Sequence, residues 1–80
     1  MANNTFNTSN RGLAAAFMIN GHRPLQAVRN DRDKPSLDFE RTDSLMDVFG
    51  KYKDGTLVGN LAKFNEAMFE VGRLIRELQQ

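Results

Sequence analysis

The segment from residue 61 to 78 constrains this chain most. Leu61, Phe64, Met68, Val71, Ile75 and Leu78 recur at alternating steps of three and four, broadened by Ala67 and Leu74. That spacing places them on one side of an α-helix, and a helix with one apolar side must lay it against something. Asn60 stands where an N-cap belongs. The outer face holds Lys63, Glu66, Glu70, Arg73 and Glu77, and Arg73 can pair with Glu70 or Glu77 across a turn, each pair adding about 0.2–0.5 kcal/mol. The stripe is wider than a strict coiled-coil seam and shorter than three or four heptads, so it predicts an intramolecular core. A homodimer zipped along the same stripe is the alternative.

Eighty residues make one domain with a thin energetic margin, and cysteine is absent, so no disulfide can staple it. Lack of cysteine fits a cytoplasmic protein. No apolar run approaches the roughly 20 residues of a membrane span. Met1 to Asn10 is Asn/Thr-rich without the basic and apolar regions of a signal peptide, and residues 1–8 read as a polar N-terminal tail ahead of a single domain over 9–80. Eleven basic and ten acidic residues nearly cancel. Residues 1–30 nevertheless hold Arg11, Arg23 and Arg29 and no carboxylate, which makes this end the candidate anion-facing surface.

Thr8 and Ser9 are cap candidates for a short first helix over "RGLAAAFMIN", with Leu13 and Phe17 on one stripe and Gly21 suited to a left-handed C-terminal turn. From Pro24 the period changes to two. Leu25 and Ala27 alternate with Gln26 and Val28, and Leu37 and Phe39 alternate with Asp38 and Glu40. The intervening "NDRDKP" has turn chemistry, so the two runs form an antiparallel hairpin with Pro35 at its margin. Thr42 or Asp43 caps a second helix whose Leu45, Val48, Phe49 and Tyr52 share a side, with Lys51 and Lys53 near its C-terminal end and Asp54-Gly55 closing it. A two-stranded hairpin is marginal alone and must lie on helices. The chain therefore reads as a small two-layer α+β domain in the order α-β-β-α-α.

The runs "LAAAFMINGHRPLQAVRND", "LDFERTDSLMDVFGKYKDGTL" and "KFNEAMFEVGRLIREL" resemble, in this order and over about residues 11–78, a family of small uncharacterised domains common in phages and bacterial mobile elements. The resemblance implies a helix, a glycine-bounded hairpin, a second helix ending in a glycine turn and a Phe-anchored last helix. It also implies a phage-encoded inhibitor or modulator of host machinery, nucleic-acid-guided defence complexes included.

Candidates for chemistry are sparse. His22, the single histidine, lies in a Gly-His-Arg-Pro turn with no nucleophile or orienting carboxylate at a recognisable spacing. Asp38 and Glu40 share a strand face, but as the water-facing half of an alternating strand they need no metal to explain them. Asp31 and Asp33 resemble the start of a calcium loop without its Gly and closing Glu, and "GKYKDGT" lacks the Walker arrangement. The residues predict no enzyme, no cofactor and no metal.

They favour an interaction protein docking on a protein partner. Its candidate contact residues are Arg23, Arg29, Asp31, Arg32 and Asp33 around the hairpin, Phe69, Arg73 and Arg76 on the last helix, and Phe6 in the tail. Aromatic and Arg side chains concentrate at interfaces, and mixed charges set specificity and association rate. Phe69 falls off the main stripe. It is predicted to be covered, by the tail, by the first helix or by a partner, with Phe6 as one covering residue. The alternative is salt-dependent nucleic-acid binding by Arg11, Arg23, Arg29, Arg32 and Lys34. Against it, Asp31 and Asp33 interleave with these cations, and the hairpin has no aromatic on which bases would stack.

Overall fold

A computed structural model describes residues 4–78. The elements are β1 (Thr5–Thr8), α1 (Arg11–Ile19), β2 (Pro24–Arg29), β3 (Pro35–Glu40), α2 (Asp43–Asp54) and α3 (Leu61–Leu78). The three strands form one antiparallel sheet in the order β1-β3-β2. The domain is α+β with three helices, as the periodicities predict.

The polar tail over residues 1–8 requires correction, since its described part includes a strand. Thr5–Thr8 pairs with β3, Phe6 opposite Phe39 and Thr8 opposite Leu37, so the hairpin is a three-stranded sheet and the order becomes β-α-β-β-α-α. Thr and Phe favour pleated backbone, and alternation turns Phe6 inward while Asn7 faces out. The Phe6 ring stands 5.5 Å from that of Phe17 and 5.0 Å from that of Phe49, and Phe17 is 5.0 Å from Phe39, all in edge-to-face geometry. Each such pair adds about 0.5–1.5 kcal/mol beyond the burial of its surface.

Asn10, one residue beyond the predicted caps, is the N-cap of α1. Its side chain accepts from the Leu13 amide at 3.0 Å, and its own amide donates to Thr8 Oγ1 at 3.0 Å, so β1 leads directly into the helix. Gly21 takes a φ of +90° after the helix and turns the chain into β2. Thr42 caps α2, accepting from the Leu45 amide at 3.0 Å; Gly55 closes it with a φ of +76°. Asn60 Oδ1 accepts from the Lys63 amide at the start of α3.

The helices lie against one face of the sheet. Leu37 and Phe39 point into them, and Leu13, Phe17, Leu45, Val71 and Ile75 complete the interior. Ala14, Ala15 and Ala16 on α1 and Ala67 and Gly72 on α3 are buried. Small residues on both helices let them pack closely, and this turns the buried stripe of α3 towards Ala67, Val71, Gly72 and Ile75. Phe64, Met68 and Leu74 border it half-buried, and Leu61, predicted to begin the seam, is 84% exposed.

One strand residue also departs from period two. Pro24 pairs with Phe39 and Gln26 with Asp38, so Leu25 is the extra residue of a bulge and is 59% exposed instead of facing the core with Ala27. On the outer face Asp38 accepts from Asn7 Nδ2 at 2.7 Å and from Gln26 Nε2 at 2.9 Å, a polar tie across all three strands. Buried Ser36 accepts from Asn7 Nδ2 at 2.9 Å and donates to the Val28 carbonyl at 3.2 Å. Because Phe6 is half-buried among rings, Phe6→Ala is expected to cost about 2–4 kcal/mol, below or near the range for fully buried Phe, in urea unfolding. A residue in an unstructured tail would cost less than about 0.5 kcal/mol.

Candidate functional site

The hairpin end is held by one side chain. Asn30 Oδ1 accepts from the amides of Arg32 at 2.9 Å and Lys34 at 3.0 Å, while the backbone bonds Asn30 N–H to Lys34 O and Asp33 N–H to Asn30 O, each at 2.9 Å, close the turn. Asp33 sits at φ +59°, a conformation that Asp tolerates better than most residues. Arg29 folds back over the turn. Its Nη1 donates to the Asp33 carbonyl at 3.1 Å and lies 3.8 Å from the Asp33 carboxylate. The Asp33 charge is thereby set against Arg29, leaving Asp31, Arg32 and Lys34 exposed at the tip.

The outer face of the sheet is hollowed beside this turn. A shallow groove of about 510 Å³ runs between Asn7 and Ser9 on one side and Arg29, Asp31, Arg32 and Lys34 on the other. A second depression adjoins it, sharing Ser9 and Lys34 and adding Arg11, Pro35 and Ile75. The fold therefore brings Arg11, Arg29, Arg32 and Lys34 to one end of the molecule. Arg23, grouped with them on sequence, is at the other end of β2. It faces a trough between the end of α1 and α3 together with Lys63, Glu66 and Glu70.

On α3, Phe69 is 72% exposed, so the prediction that it is covered within the chain fails. Phe6 does not cover it, because that ring is committed to Phe17 and Phe49. Arg73 Nε donates to Glu70 at 3.1 Å, its Nη2 bonds the other Glu70 oxygen, and its Nη1 donates to Glu77 at 2.6 Å. This three-member chain occupies the Arg73 fork. Arg76 is exposed, with Nη1 3.7 Å from where a side chain on Gly72 would begin. The Arg73 hydrogen bonds hold the Glu70 carboxyl below the usual glutamate range against an opposing desolvation, with smaller pulls from the Arg73 and Arg23 charges. Arg73 is raised in turn, chiefly by its bond to Glu70.

A third surface has no counterpart among the predicted contact residues. An apolar groove of about 300 Å³ opens between the C-terminal ends of α1 and α2 and the start of α3, floored by Ala16, Ile19, Tyr52, Leu57 and Phe64. Val58 and Leu61 stand beside it at 86% and 84% exposure. The loop that shapes it is anchored by the Lys51 carbonyl, which accepts from Thr56 at 3.0 Å and Leu57 at 3.2 Å. A side chain at Gly59 would meet Ile19 Cδ1 at 2.9 Å, so the loop passes close over the end of the Ile19 side chain, which would have to shift to admit one. The sequence signal was an apolar Leu-Val pair inside a loop, between Gly55 and Gly59.

His22 Nε2 lies 3.3 Å from Ser44 Oγ and ties the α1–β2 turn to the start of α2; among the described residues no carboxylate orients the imidazole. Asp38 is occupied by Asn7 and Gln26 rather than poised with Glu40. No helix among the described residues is long and apolar enough to cross a membrane. No protein-family model, curated protein or solved structure matches this chain.

The Glu70 shift has a defined sign. A carboxyl whose folded pKa is lowered contributes stability above its unfolded pKa and loses it as pH falls through the lowered folded value. A carboxyl-detected NMR titration is expected to find Glu70 protonating at lower pH than an unperturbed glutamate, and Arg73→Gln is expected to return it to the ordinary range. An unshifted Glu70 in the native chain would contradict the Glu70–Arg73–Glu77 ion-pair chain.

Proposed function

We propose that this chain is a non-enzymatic interaction protein that docks on a protein partner, with the apolar groove between α1, α2 and α3 as its principal contact. The observation that carries this reading is the pair Val58 and Leu61, two large apolar side chains beside an apolar floor. Apolar side chains held in water beside a concave floor gain free energy when a partner covers them. At about 300 Å³ the groove is at the lower limit of small-molecule sites, and it is open to solvent, which suits one or two side chains of a protein segment. Exposed Phe69 on α3 supplies further contact.

The resemblance to phage and mobile-element domains supports a host complex that handles nucleic acid or serves in defence as the partner, inhibited or modulated by docking. A cytoplasmic setting and a phage source belong to the same reading.

Selection of peptides from a displayed random library tests the groove. Peptides with an aromatic or branched apolar anchor are expected, and they should shift the amide signals of Ile19, Leu57 and Phe64. Val58→Asp and Leu61→Asp are expected to weaken them about tenfold or more while changing stability by less than about 0.5 kcal/mol, since both positions are exposed. Perturbations confined to other surfaces, or variants that bind as the native chain does, would overturn the proposal. So would a dimer abolished by Leu61→Asp, because the groove's occupant would then be a second copy.

A further inference from the structure

The two depressions at the hairpin end form one band, and we infer that this band binds the phosphate backbone of a nucleic acid without reading its sequence. They share Ser9 and Lys34, and the residues bordering them include the cations Arg11, Arg29, Arg32 and Lys34, with Asp31 as the one carboxylate. The carboxylates at the tip had argued against a polyanion. Folding changes their arrangement. Asp33 is engaged with Arg29, which removes one cation and one anion from the account and leaves Arg11, Arg32 and Lys34 facing Asp31.

Between those cations lie neutral donors of the kind that position phosphates. Ser9 borders the groove on the β1 side, beside Asn7 whose amide is already given to Ser36 and Asp38, and Asn30 borders it at the turn. The backbone under Arg32 and Lys34 is fixed by the two Asn30 bonds, so little of the turn needs ordering on binding. No aromatic ring borders either depression among the described residues, and Val28, Pro35 and Ile75 are the apolar contributors. With cations, hydroxyl and amide donors but no stacking platform, the surface matches sugar-phosphate and not bases. Arg23 is outside the band, near Glu66 and Glu70, and takes no part.

The band does not depend on the apolar groove. Arg11 and Ile75 place it at the start of α1 and the end of α3, whereas Ile19 and Leu61 place the groove at the opposite ends of the same two helices. A protein partner at one end and a nucleic-acid backbone at the other can be held together.

Fluorescence anisotropy of the full chain with labelled mixed-sequence oligonucleotides of about 20 nucleotides, single-stranded and duplex, tests the inference and tells the two sources of phosphate apart. Three engaged cations predict a slope of log affinity against log salt of about −2 for a single strand and −3 for a duplex, hence roughly a 20- to 40-fold loss between about 50 and 200 mM salt. Arg32→Glu with Lys34→Glu is expected to remove binding. The charge-matched pair Lys53→Glu with Lys63→Glu, outside the band, is expected to leave most of it, and Leu61→Asp is expected to leave it intact. All these positions are exposed, and thermal melts of each variant report whether it is folded. No binding at the lower salt would overturn the inference. Equal losses from the two charge pairs would also do so, as would competition by poly-glutamate equal to that by unlabelled oligonucleotide, which would assign the band to an acidic protein.

Discussion

Phe17 is the side chain on which the rest of this structure depends. It is fully buried on α1 and meets the ring of Phe6 from β1, the ring of Phe39 from β3 and, at 6.3 Å, the edge of His22 in the following turn; Phe6 carries the contact on to Phe49 of α2. Four elements are thus joined through one cluster of rings. A chain of this length without disulfides has few other means of joining them, because its total buried area is small and each large side chain carries a correspondingly large share. β3 is central for the same reason. It pairs on both edges, sends Leu37 and Phe39 to the helices, and on its other face presents Asp38 to Asn7 and Gln26.

The consumption of apolar residues in that cluster determines what the exterior can do. Among the described residues, Leu25, Val58, Leu61 and Phe69 are the large apolar side chains left exposed, and two of them border a single groove. The charged residues divide by what they touch. Arg73 is taken up by Glu70 and Glu77, Lys51 pairs with Asp47, and Lys53 lies over the Phe49 ring, while Arg11, Arg32 and Lys34 gather where β1, the hairpin and the end of α3 meet. Recognition by shallow surfaces at opposite ends of the α1–α3 pair is the behaviour this division favours.

The helices were legible because period and caps are local properties: Thr42, Gly55 and Asn60 act where their neighbours place them. The hairpin was legible for the same reason, down to the Asn-Asp chemistry of its turn. β1 was not, since four residues of which two are Thr and one is Asn carry almost no apolar alternation, and the residues they pair with lie 29 to 35 positions further along the chain. Only the lone Phe6 hinted at a core position. The bulge at Leu25 was hidden because an alternating run reads the same with or without an extra residue. Phe69 and the groove illustrate a further limit. Sequence periodicity tells which side of a helix is apolar, but whether an off-stripe ring is covered depends on elements far along the chain, and a groove built from the ends of three helices has no local signature.

Native-state amide hydrogen exchange tests the claim that the ring cluster binds the amino-terminal segment into the fold. Amides of β1 that bond to β3 are predicted to exchange only in the same global opening that releases Leu37 and Phe39 of β3 and Phe17 of α1, with one free energy common to all. Exchange of residues 5–8 at the rate of free peptide, while β3 and α1 stay protected, would contradict the account and leave β1 a tail.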